Sequence, residues 1–124
     1  HGFASPIGGM FSAPHGAVCA ALLPHVIETN LAALGSRAPQ HNSLHRYDEI
    51  ARLVTAQPHA TADDLVPWLR RLVADLRIPS LSTYGLTRTE FPSLVTAATK
   101  ASSMKANPIV LTPDELAAIL AAAL

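Results

Sequence analysis

Two histidines carry the chemistry that is most readily imagined in this chain. His1 opens it and His15 follows after a glycine-containing stretch, a separation of 15 − 1 = 14 positions. Neutral imidazole is the commonest metal ligand among side chains. Two adjacent antiparallel elements joined by a reversal, placed here at Gly8-Gly9, would bring both rings to one ion, roughly 2.0–2.2 Å from each ligand nitrogen. A histidine in the first turn of a helix sits at the positive dipole end, which disfavours imidazolium and keeps His15 able to ligate. The apolar, glycine-rich surroundings suit a dry site. On spacing alone, two such histidines are ordinary far more often than they are ligands, and two ligands do not close a site that needs three or four.

The other reactive side chains have plainer readings. Cys19 lies four residues after His15, on the same helical face, and reads as a small packed apolar residue because no neighbouring cation lowers its pKa. His25 reads as a satisfied core histidine; His41, His45 and His59 stand in or beside polar loops and read as solvated. Pro6-Ile7-Gly8-Gly9 lacks both the preceding strand and the lysine of a phosphate loop. No local motif suggests a Ser–His–Asp set.

The elements that must position the pair are helical. His1 to Phe11 forms a first short segment ending near Phe11. Ser12 or Ala13 caps the next helix, with Pro14 at its first position, and this helix runs to about Leu34 with Gly35 as its stop. Its apolar positions are too dense for a surface helix, and Pro24 should bend it. Leu44–Ala56 carries Tyr47, Ile50, Leu53 and Val54 at helical spacing. Thr61 caps a helix with Asp63 and Asp64 in its first turn and a core stripe of Leu65, Trp68, Leu69, Leu72, Val73 and Leu76. Leu81–Arg88 reads as a loop. Thr87 or Thr89 caps a helix through Phe91, Leu94, Val95 and Ala98, and Ser102–Leu111 is irregular. Thr112 and Glu115 form a capping box for the last helix, Pro113–Leu124. The expectation is a single all-α domain over residues 1–124, a bundle of five or six helices.

Composition bounds what such a bundle does. Of 124 residues, 49% are hydrophobic and 15% charged, with zero formal net charge. That is a chain with a substantial core and with apolar surface to spare for another domain or subunit. Without a basic stripe, nucleic acid and anionic membrane surfaces are not expected partners. No run of about 18 apolar residues and no leader are visible. A lone cysteine permits no internal disulfide and favours a cytoplasmic setting. The start at His1, without methionine, reads as the interior of a longer protein.

The stretch His1-Gly2-Phe3-Ala4-Ser5-Pro6-Ile7-Gly8-Gly9-Met10-Phe11-Ser12-Ala13-Pro14-His15-Gly16 resembles the metal-binding signature of iron-containing (group III) alcohol dehydrogenases. Leu22-Leu23-Pro24-His25-Val26 is similar to the family's proline-containing helix. Tyr47-Asp48-Glu49-Ile50-Ala51 is similar to the helix that follows, and Asn107-Pro108 with Leu111-Thr112 to the segment before the final one. The resemblance implies the C-terminal helical domain of a dehydroquinate synthase-like fold, with the N-terminal nucleotide-binding domain absent. It implies that His1 and His15 are metal ligands for Fe²⁺ or Zn²⁺, and that an aspartate and a further histidine come from upstream. It also implies NAD or NADP as cofactor, a small alcohol or aldehyde as substrate, and a homo-oligomer. Several family members carry a histidine four residues after the first, beside nicotinamide and substrate. Ser5 stands there instead, able to donate a hydrogen bond but unable to titrate near neutral pH. The resemblance leaves residues 1–124 without dehydrogenase activity of their own. A rival reading from another class is a free-standing helical interaction domain in which His1 and His15 are bystanders.

Overall fold

The computed structural model describes residues 1–124 and contains six α-helices and no strands. They are α1 (Ala4–Phe11), α2 (His15–Arg37), α3 (Ser43–Thr55), α4 (Ala62–Asp75), α5 (Phe91–Lys100) and α6 (Pro113–Ala122). Short 3-10 turns at Leu81–Tyr84, Arg88–Glu90 and Ser102–Ala106 fill the connections on either side of α5. The long α2 is the axis: α1, α4 and α6 pack on it, α3 pairs with α4, and α5 bridges α1 and α6. The main core joins α1, α2, α5 and α6 through Ile7, Val18, Leu94, Ile119 and Leu120, all 1% exposed or less. A smaller core under α3 and α4 gathers Ala51, Ala60, Leu65 and Leu69 against Ile27, Tyr47 and Trp68.

Helix ends follow local chemistry where side chains decide them. The Asp64 carboxylate accepts from the Thr61 backbone N–H at 2.9 Å. Glu115 accepts from the Thr112 N–H at 2.8 Å while the Thr112 hydroxyl accepts from the Glu115 N–H. These reciprocal pairs satisfy donors that the first helical turn leaves free. Thr87 and Glu90 form a third such pair at the entry to α5.

Tertiary packing overrides propensity elsewhere. The reversal expected at Gly8-Gly9 occurs instead at Ser12, which adopts a left-handed conformation (φ 52°), while both glycines remain helical. Burial of Phe3, Ala4 and Ile7 holds that turn of helix, outweighing a propensity cost of about 1 kcal/mol per glycine. Pro14 occupies the extended N-cap position and His15 becomes the first helical residue, one step later than anticipated. Gly35 does not end α2. The helix continues to Arg37, whose guanidinium donates to both Glu115 carboxylate oxygens (2.6 and 3.2 Å) and to the Val110 carbonyl (2.9 Å). Thus the last turn of α2 is held by α6 and the loop before it.

The core stripe expected on α4 is narrower than its spacing suggests. Leu72 on α4 and Leu76 just past its end are exposed, while Val66 is buried. On α3, Leu53 is 80% exposed and Ile50 and Val54 also face outward, because the helix packs through Ala51 and Tyr47. Helix α2 is long and apolar enough to cross a membrane by length and mean hydropathy (1.5), which the count of unbroken apolar residues did not register. Here its buried residues, Val18 to Leu34, form the centre of the bundle.

Candidate metal centre

Helices α1 and α2 meet as a tight hairpin, with His1 just before the first and His15 opening the second. The Ala4 N–H donates to the His1 carbonyl at 3.0 Å, so His1 is fixed by the first turn of α1. Buried Phe3 and Ala4 anchor that turn in the core, and Val18 anchors the start of α2. The reversal at Ser12 therefore delivers two imidazoles to one place. His15 Nε2 and His1 Nδ1 stand 3.2 Å apart, with ring centroids at 5.2 Å and planes tilted by 37°. Two nitrogens at tetrahedral corners around one ion, each about 2.05 Å from it, are separated by about 3.3 Å. The observed separation has that size.

Cys19 completes a cluster that was not anticipated from the sequence. Its Sγ lies 3.9 Å from His1 Nδ1, and one ligand atom from each of His1, His15 and Cys19 falls within 4.8 Å of the others. The signal was present: an i, i+4 pair shares a helix face. Both rings are exposed on this chain, rather than lying in the dry surroundings expected of them, and Cys19 is half-buried. An ion held between the rings would be open on its far side to groups from outside residues 1–124.

An apolar cleft of about 510 Å³ adjoins the cluster, bordered by His1 and Cys19 and walled largely by Phe3, Leu22, Val26 and Met104. Gly2 lies at its edge against Met104, whose side-chain end would have to shift to admit a Cβ there. The Met104 segment is tied to α2 by an amide clasp. Asn30, 2% exposed, donates to Asn107 Oδ1 (2.9 Å) and accepts from Asn107 Nδ2 (2.7 Å). Asn107 Nδ2 also donates to the Ile109 carbonyl, and Asn30 donates to the Tyr47 hydroxyl at 3.2 Å. Burial raises the pKa of Tyr47 against the opposing effect of that hydrogen bond. A buried amide on an otherwise apolar helix was the clue to this clasp.

The remaining histidines separate from the cluster. His41, His45 and His59 are exposed, as expected, and His41 Nδ1 accepts from the Ser43 N–H. His25 differs from its expectation: its Nδ1 is buried without a hydrogen-bond partner, so it is not a satisfied core histidine. Burial, then the nearby Arg70 charge, lowers its pKa against a smaller opposing effect of Glu28. Glu28 and Arg70 pair with each other at 2.6 Å. Ser5 is exposed on the first turn of α1.

The comparisons with known proteins agree on one family. The model of the Fe-containing alcohol dehydrogenase family, C-terminal, matches residues 1–124. Alcohol dehydrogenase 4 of Schizosaccharomyces pombe is 34% identical over all of this chain, and 1,3-propanediol dehydrogenase of Klebsiella pneumoniae is 32% identical over 96% of it. The chain spans only 28% and 30% of those two proteins. A crystal structure of 1,3-propanediol oxidoreductase superposes on the whole chain with a TM-score of 0.83 at 31% identity, the chain covering 32% of it. The alcohol dehydrogenase of Oenococcus oeni also gives 0.83, at 28% identity. This six-helix bundle thus has its counterpart in a known group of proteins: the chain belongs to the Fe-containing alcohol dehydrogenase family and corresponds to its C-terminal region.

Proposed function

We propose that the protein carrying this chain is a metal-dependent, NAD(P)-linked alcohol dehydrogenase in which His1 and His15 supply two ligands to a divalent ion, Fe²⁺ or Zn²⁺. The 3.2 Å approach of their ring nitrogens, built by the α1–α2 reversal, is the observation that carries this reading. When bound, such an ion supplies Lewis-acid stabilisation of the substrate oxygen. The chain's own residues hold and orient. The α1–α2 reversal presents one nitrogen from each ring to the same place, and the buried turns of α1 and α2 hold the two histidines together. The adjoining cleft presents largely apolar walls on that side. Ser5, one turn along α1 from His1, offers a hydroxyl that can donate to substrate or cofactor. It replaces a titratable group, so proton delivery at that position is not available from this side chain.

The remaining parts of the enzyme would come from outside residues 1–124: a nucleotide-binding domain, an aspartate and another histidine. The relatives' names place alcohols and a diol among their substrates, and a small alcohol or aldehyde is the class we assign here. Outward-facing Ile50, Leu53, Leu72 and Leu76 favour a homo-oligomer, which sedimentation of the full-length protein would detect. A cytoplasmic location fits the free thiol.

The test is NAD(P)-dependent oxidation of short alcohols and diols by the full-length protein, reconstituted with Fe²⁺ or Zn²⁺ and compared with His15→Ala. Metal-dependent turnover that disappears in the variant is expected. Turnover unaltered by both metal removal and His15→Ala would refute the assignment.

A further inference from the structure

We infer that Met104 and Asn107 are positioning residues for the metal centre: they brace the backbone beside His1 and tie it to the helix that carries His15. The inference rests on the proposed binding of an ion at the imidazole pair and concerns what holds one of its ligands in place. His15 opens α2 and is fixed by that helix. His1 lies before α1, with its carbonyl accepting from the Ala4 N–H and its side chain exposed. Its neighbour Gly2 is buried, and the end of the Met104 side chain occupies the place a side chain there would take. A Cβ on Gly2 would lie 2.5 Å from Met104 Cε and 3.2 Å from Sδ. Met104 thus covers the backbone next to the ligand.

Met104 has a support of its own. It stands in the 3-10 turn Ser102–Ala106, where its N–H donates to the Ala101 carbonyl at 3.0 Å. Its carbonyl accepts from the Asn107 N–H at 3.1 Å. Asn107 is clasped in turn to Asn30 by two side-chain hydrogen bonds of 2.9 and 2.7 Å. Asn30 lies on α2, about four turns along the same helix from His15. One helix therefore carries His15 at its start and, through Asn30, Asn107 and Met104, braces His1 from the other side. Met104 also borders open space on two sides, the cleft of about 510 Å³ and a second cavity of about 180 Å³. Its contact with Gly2 is thus not the by-product of a filled core. Such bracing matters because ligand geometry must be held to within about 0.5 Å.

Co²⁺ binding to the metal-free full-length protein, followed by d–d absorption in competition with a chelator, tests this without recourse to turnover. Met104→Ala and Asn107→Ala should each weaken Co²⁺ by about 10–100-fold at unchanged stoichiometry, the loss usual when groups that orient metal-bound histidines are removed. Met104→Leu, close in volume to the native side chain, should keep most of the affinity. The double variant should lose less than the product of the two single losses, because both act through one path. Leu65→Ala, in the separate core under α3 and α4, controls for lost stability and should leave the Co²⁺ dissociation constant unchanged. Met104→Ala and Asn107→Ala proteins that bind Co²⁺ as tightly as the wild type would overturn the bracing role, and so would equal weakening by Leu65→Ala. Either result, obtained while His15→Ala abolishes binding, leaves the imidazole pair standing. Failure of the wild type to bind Co²⁺ at all would remove both.

Discussion

Replacing Asn30 by alanine should loosen the segment that carries Met104 from the long central helix. Asn30 is 2% exposed and takes part in three side-chain hydrogen bonds: two with Asn107 and one to the Tyr47 hydroxyl. At a net value of about 1 kcal/mol each, with Asn107 retaining its bond to the Ile109 carbonyl, the loss should be about 2–4 kcal/mol. Urea unfolding of the full-length protein, followed by helical circular dichroism, reads the change as a shift of the midpoint at constant slope. Asn107→Ala supplies the second arm of a double-mutant cycle, with an expected coupling of about 1–3 kcal/mol. Two single variants that each cost less than about 0.5 kcal/mol and add independently would refute the clasp as the tie between these segments.

Other consequences follow from particular side chains. Ile7, fully buried at the α1–α2 contact, should cost about 2–5 kcal/mol when cut to alanine, measured by the same unfolding assay. The Arg37 hydrogen bond, and then the Thr112 N–H, hold the Glu115 carboxyl below its ordinary value of 4.5. Its contribution is therefore present above about pH 4.5 and disappears as pH falls through the depressed value, so Glu115→Gln should flatten the acid side of the stability profile. Burial likewise lowers His25 from 6.5. The unfolded chain takes up that proton first, so stability should decline as pH falls below about 6.5, and His25→Gln should remove that part of the decline.

Much of the fold was legible because local chemistry sets it. Thr61, Thr87 and Thr112 each announce a helix start with an acidic residue three positions on, and all three pairings form. The dense apolar pattern of α2 identified the central helix. The errors have a common origin in tertiary contacts that a periodicity does not contain. Gly35 is carried through by the Arg37–Glu115 contact, and Gly8-Gly9 by the burial of Ile7. Apolar spacing on α3 identified a face that avoids water, yet Leu53 and Ile50 find no cover within this chain.

For the site, the sequence supplied His1 and His15 as candidates through a resemblance, while their spacing alone left them ambiguous. Their approach depends on Ser12 adopting a left-handed turn, a conformation that no propensity would assign to serine there. Cys19, read from the sequence as a small packed apolar residue, does pack against the main core, with its sulfur 3.9 Å from an imidazole nitrogen that the sequence did not place there.

Anomalous X-ray scattering from a crystal of the full-length protein grown with Zn²⁺ or Co²⁺ would decide whether the two rings share an ion. The expected result is a single peak at the metal's absorption edge, about 2.0–2.2 Å from one nitrogen of His1 and one of His15. A fully loaded protein whose anomalous peak lies elsewhere, with these rings still paired only to each other, would contradict it.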